Sequence, residues 1–300
     1  MFSLMNEARH MVALQGLASA SAAYQYALDY AKTRIQGRHI KEFANREAKS
    51  VAIINHPSVR RLLMEMKAYV EGMRSLVYYI AYCEDMANKC DWDESKEEAK
   101  WDGLIELLTP LAKGFCTNYA VRVVDMAMQV YGGLGYMKDY PIEQLYRDVR
   151  ITPIYEGTNE IQAMDFIMRQ LNAKGGVNAL NLIGEIEKTI SIATSNDPND
   201  EEMIRMAHDV KSSLDLFAAR IMELATKDIE FVALQSTPLA DVAGHLVLAW
   251  MHLWRANAGG RGHRVVAKYF IDNCLRRAFG QLGDSSFNNA SALIMNEKDF

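Results

Sequence analysis

The chain is poor in helix breakers and in the residues that build metal or disulfide frameworks. Only six prolines punctuate 300 residues, so long stretches contain nothing that interrupts a helix. The four cysteines (Cys83, Cys90, Cys116, Cys274) form no CxxC pair and share no histidine spacing that would hold zinc. They read as reduced thiols of a cytoplasmic protein. No run of alternating β-branched residues suggests a sheet. No uninterrupted apolar stretch approaches the ~20 residues a membrane helix needs, and the opening residues lack the charged and apolar segments of a signal peptide. A net charge of −5 without clustered positive charge argues against nucleic acid as a partner.

What the chain has instead is Ala, Leu, Met, Glu, Lys and Arg, a helical composition. Helices are expected over Ser3 to Arg34, ended by Gly37, and from Pro57, a good first-turn residue, to about Asn88. A charged segment, Asp91 to Lys96, separates these from a third helix over Glu97 to Tyr131. A fourth runs from an N-cap at Thr158 to Asn172, with Glu160 in its first turn. Gly175-Gly176 marks the main internal boundary. Further helices are expected over Asn178 to Thr194, Glu201 to Leu234 and Leu239 to Phe279, the last interrupted at Gly259 to Gly262, with a polar tail after Gly283. The fold class is all-α: an antiparallel four-helix bundle over 1–174 and an additional helical domain over 175–300.

The most informative stretch runs from Gln129 through the glycines Gly132, Gly133 and Gly135 to Gln162. Pro153 and Gly157 bracket Glu156, which puts that carboxylate on a short rigid connection. The upstream glycines let backbone approach something closely. A loop carboxylate near bare backbone suits a general base beside a bound cofactor. It equally suits a Gly-rich interhelical turn with an exposed glutamate.

This stretch resembles the acyl-CoA dehydrogenases, flavoenzymes whose C-terminal half carries a QxxGGxGY…YPxExxxRDxRxxxIYEGTxEIQ pattern. Gln129, Gly132, Gly133, Gly135, Tyr136, Tyr140, Pro141, Glu143, Arg147, Asp148, Arg150, Ile154 to Thr158, Glu160, Ile161 and Gln162 match at the same spacing. The match extends to the opening residues, to Tyr30 through Gly37 and to His56 through Leu63. The resemblance implies the C-terminal four-helix bundle of that family, which also makes its oligomer interface, followed by the extra helical domain of a long-form member.

By that resemblance the chain oxidises acyl-CoA to 2-enoyl-CoA, as in fatty-acid β-oxidation, with FAD as cofactor, an electron-transfer flavoprotein as acceptor and a homo-oligomeric assembly. Glu156 would be the base, its pKa raised by burial under the acyl chain. Arg34 and Gln36 would reach the FAD pyrophosphate, often across a dimer interface, and Gln129, Gly132 and Gly133 its nucleotide end. Thr158 and Glu160 would lie near the flavin. Asn6, Arg9, Tyr155 and Gly157 would contact the substrate. Arg147, Asp148 and Arg150 are read as structural pairing, not catalysis.

Two departures stand out. The chain lacks the family's aromatic before Gly37, and His56-Pro57 stands where many members place a glutamine contacting FAD. Family members also carry an N-terminal helical domain and a middle β domain, neither of which matches these residues, so FAD binding by this chain alone is expected to be weak. A non-catalytic helical oligomerisation module is the alternative. Glu7 and His10 form an ExxH, but no second ExxH accompanies it, so no metal site is assigned. His245 and His252 read as core or surface residues.

Overall fold

A computed structural model describes residues 2–89, 95–283, 289–296 and 298–299, with the side chains of 2–4, 95–96 and 283 left aside. Cys90, most of the charged segment at 91–96 and the start of the polar tail lie outside the described residues.

Three long helices form the first layer: α1 (Phe2–Thr33), α2 (Pro57–Lys89) and α3 (Ser95–Tyr131). They run up, down, up. Ser21 accepts from Arg74 and His10 meets Val77, so α1 and α2 are antiparallel. Tyr69 stacks on Tyr119 and Tyr82 meets Trp101 edge to face, which makes α2 and α3 antiparallel as well. The inner face of α1 is almost all alanine: Ala13, Ala20, Ala23, Ala27 and Ala31 are fully buried at helical spacing. Small side chains on that stripe let α3 approach closely. The facing stripe of α2 carries larger residues, Met66, Met73, Leu76 and Ile80 among them.

Helix α4 (Pro141–Val149) fills what the sequence suggests is loop. The fourth bundle helix, α5 (Asn159–Met164), passes into a π-helical turn at Asp165–Gln170. Beyond it, Lys174, Gly175 and Gly176 all take left-handed φ values (52°, 69° and 84°), which turns the chain. Then come α6 (Val177–Ser195), α7 (Glu201–Leu224), α8 (Ile229–Asn257), α9 (Arg261–Tyr269), a π turn at Phe270–Leu275 and α10 (Arg276–Gly280).

Helix α8 is the centre of this second set, buried on all sides from Val242 to Leu253. It crosses α3 where a Cβ on Gly244 would fall 2.0 Å from the Phe115 ring, so only glycine permits that approach. One continuous buried cluster runs from α1 to α10. By length and composition α8 is apolar enough to cross a membrane, but 56% of the qualifying stretch is buried within the fold.

Three expectations need correction. Residues 35–38 and 50–52 form a two-stranded antiparallel ribbon, with Ile35 opposite Ala52 and Arg38 opposite Ser50. Gly37 lies within this ribbon at φ 73°, and α1 ends earlier, at Thr33. The break placed between Leu234 and Leu239 falls at 225–228 instead. Pro238 lies inside α8, whose later turns are held by burial, while Asp228 caps the helix by accepting from the Glu230 amide.

Candidate active site

The segment between α4 and α5 is built around two consecutive residues in left-handed conformation, Glu156 (φ 56°) and Gly157 (φ 87°). That conformation is ordinary for glycine and strained for glutamate. A Cβ on Gly157 would lie 2.7 Å from Gln162 Nε2, so the Gln162 amide would have to move.

The two carbonyls that this backbone presents are both captured. Gln162 Nε2 donates to the Glu156 carbonyl at 3.1 Å. Lys113 Nζ, on α3, donates to the Gly157 carbonyl at 2.7 Å and to Asn159 Oδ1 at 2.9 Å. Asn159 in turn donates to the Gly114 carbonyl, Thr117 Oγ1 and Asn118 Oδ1. Lys113 is fully buried. Burial, reinforced by the nearby Arg9 charge, lowers its pKa to about 8 against the opposing pull of Glu160 and Glu156.

Around this anchor the expected substrate-side residues gather. Tyr155 donates its hydroxyl to Gln15 Oε1 on α1. Arg9 is buried and pairs with Asp165 at 3.1 Å, and its Nε has no partner among the described residues. Asn6 lies half-buried one turn earlier on α1, and Thr158 and Glu160 are exposed at the start of α5. Thr158 occupies the N-cap position, but its side chain makes no capping bond. The Glu156 side chain is exposed and makes no ion pair among the described residues. In this chain it is not buried, so any burial must come from what binds over it.

A second group assembles at the far end of the bundle. Tyr30 stacks on Tyr131; Arg34 follows Tyr30 by one turn and Gly132 follows Tyr131 directly. Arg34, Gln36, Gln129, Gly132 and Gly133 lie at this end of the chain's first and third helices, and all are exposed. Gly132 lies nineteen residues beyond Lys113 in sequence, roughly 28 Å at 1.5 Å per residue. A Cβ on Gly132 or Gly133 would meet nothing within 4 Å, so bare backbone faces open space. The Arg34 guanidinium and Gln129 amide have no partners among the described residues. Free donors beside open backbone fit the diphosphate and nucleotide portion of a dinucleotide. His56, in place of the family's glutamine, is engaged locally, donating from Nε2 to the Gln36 carbonyl at 2.7 Å.

Beside α5, just beyond the 156–157 turn, lies a cavity of about 660 Å³ whose walls include Asn159, Gln162, Tyr119, Asp241, His245 and Arg277. His245 Nδ1 donates to the Asp241 carbonyl at 2.8 Å, so its Nε2 accepts from the Tyr69 hydroxyl at 3.1 Å. Burial lowers the His245 pKa, which favours this neutral tautomer. His252 donates to the Ala68 carbonyl, and His10 to that of Val77. Arg147 pairs with Glu143, not with Asp148, which accepts from Gln144.

Sequence reasoning missed Lys113 and Asn159, and took Gln162 only as part of the motif. The available signal for Lys113 was a lone cation in the mostly apolar run Leu107 to Val121, on a buried helix face.

Comparison with known proteins bears on the family and the fold. The family model described as acyl-CoA dehydrogenase, C-terminal domain, matches residues 1–171, and that described as acetyl-CoA dehydrogenase C-terminal like matches residues 182–295. The chain is 35% identical over 250 residues to the 3-methylmercaptopropionyl-CoA dehydrogenase of Ruegeria pomeroyi, covering 83% of this chain and 42% of that protein. It is 33% identical over 258 residues to a broad-specificity linear acyl-CoA dehydrogenase of Mycobacterium tuberculosis, covering 84% and 42%. It thus spans less than half the length of either of these curated relatives. An acyl-CoA dehydrogenase from Bacillus anthracis, solved in complex with FAD, shares the fold with a TM-score of 0.70 at 21% identity, over 94% of this chain and 48% of that one.

Proposed function

The chain belongs to the acyl-CoA dehydrogenase family, and from that premise we propose that its residues 1–174 supply the general base and part of the FAD site for oxidising an acyl-CoA thioester to the 2-enoyl-CoA. Glu156 takes the C2 proton onto its carboxylate. The observation that carries this reading is an exposed, unpaired carboxylate on a strained turn whose two carbonyls are each fixed by a buried side chain. Such fixation aims a base without neutralising it. Bound substrate would cover Glu156 and exclude water from it.

Flavin, when bound, supplies the hydride acceptor for C3. Arg34, Gln36, Gln129, Gly132 and Gly133 would hold its diphosphate and nucleotide end, with Thr158 and Glu160 near the ring. Tyr155, Gly157, Asn6 and Arg9 would line the thioester side. The exposed apolar residues Tyr136 (81%) and Ile154 (47%) flank these groups and suit packing against further protein, including a second copy. Residues 175–300 would form the additional helical domain, and an electron-transfer flavoprotein would be the acceptor.

The test is Glu156→Gln, which keeps the shape and removes the base. Flavin retention should match the parent while acyl-CoA-dependent dye reduction falls by about a thousandfold. Undiminished reduction would overturn the assignment.

A further inference from the structure

Lys113 is the one charged group that touches the backbone of the turn carrying Glu156, among the described residues. It is fully buried, on a helix face it shares with the buried hydroxyls of Thr109 and Thr117, and its contacts are to main chain and an amide, not to a carboxylate. A buried ammonium without a direct counter-ion is costly, which marks a position where the charge has a use. Its location gives that use. The Gly157 carbonyl points inward only because Glu156 and Gly157 both sit at positive φ. A charged donor at 2.7 Å is the strongest single contact holding it there. The charged groups facing the ammonium are Arg9 from α1, Glu156 from the turn and Glu160 from α5.

We propose that Lys113 is a positioning residue for Glu156, its ammonium clamping the Gly157 carbonyl so that the preceding glutamate is held in its left-handed conformation. This rests on Glu156 being the base, but the clamp itself can be tested without turnover. Amide exchange in the full 300-residue chain reports on the turn through Ile154, Tyr155 and Asn159, whose amides bond to Ile151 and Pro153.

In Lys113→Met, which keeps the bulk and removes the charge, these amides should exchange about tenfold faster, while those of α3 on either side of residue 113 keep their parental rates. Lys113→Arg, which stays charged, should restore protection. In the parent chain, protection corrected for intrinsic exchange should fall as pH rises through about 8, and in Lys113→Arg it should not. Parental rates at residues 154–159 in Lys113→Met, or equal loosening of α3, would overturn the proposal. If Lys113→Met does not fold, the contrast in pH profile between parent and Lys113→Arg decides: a flat parental profile overturns it. Undiminished dye reduction in Glu156→Gln with the exchange result intact would instead fault the assignment of Glu156.

Discussion

The ring of Tyr30 lies on that of Tyr131, with centroids 4.2 Å apart and planes inclined by 15°. This stack ties the C-terminal ends of α1 and α3 together. The Tyr131 hydroxyl adds a bond to the Tyr26 carbonyl at 3.3 Å. Tyr131→Leu keeps the bulk and loses both, so urea unfolding should show a loss of about 1–2 kcal/mol. An unchanged midpoint would mean that the stack does not hold the two ends.

Asp165 accepts from both Arg9 and Arg169, but the two pairs should differ in worth. Arg9 is buried and Arg169 is half exposed. Asp165→Ala leaves an unpaired guanidinium inside the bundle and should cost about 3 kcal/mol. Arg169→Ala should cost less than about 1 kcal/mol. Equal losses in chemical unfolding would contradict this reading of burial.

The turn at 156–157 should show opposite effects from two neighbouring substitutions. Gly157→Ala adds a Cβ at φ 87° and 2.7 Å from Gln162 Nε2, and should destabilise by about 1–3 kcal/mol. Glu156→Gly relieves the strain at φ 56° and should leave stability equal or raise it by about 0.5–1 kcal/mol. Melting temperatures of the two variants check the sign directly.

Stability should be highest between about pH 6.5 and 9. Burial pushes His252 down to about 4 from 6.5. Across that window the unfolded chain binds a proton that the folded chain refuses, so stability falls as pH drops through it, by about 3 kcal/mol in all. On the alkaline side, burial pushes Cys83 and Cys116 up to about 12 from 9. The unfolded thiols ionise first, and stability falls as pH rises above 9. Lys113, lowered to about 8 from 10.5, works the other way between those values, but is opposed by both thiols. Unfolding free energies measured across pH should trace this dome, with a shallower alkaline limb in Cys116→Ala.

Much of the secondary structure was legible because its causes are local. Pro57 begins α2, Asp200 caps α7 by accepting from the Met203 amide, and Gly259-Gly260 separates α8 from α9. Pro238 misled because a proline rule is also local, and α8 continues through it on the strength of tertiary burial. The ribbon at 35–38 and 50–52 is too short and too exposed to leave an alternating pattern.

At the candidate site the division is sharper. The spacing of Gln129 through Gln162 was enough to single out Glu156, its flanking Gly157 and the glycines Gly132 and Gly133, because those features lie within one short segment. The turn is held partly locally, by Gln162 six positions on, and partly by residues remote in sequence. Lys113 reaches across 44 positions to Gly157, and Arg9 across 156 to Asp165. Sequence periodicity identifies which residues will be buried, but not which buried polar groups will meet. That is decided when α1, α3 and α5 pack, since a buried donor must find its acceptor within hydrogen-bond reach or lose its hydration uncompensated.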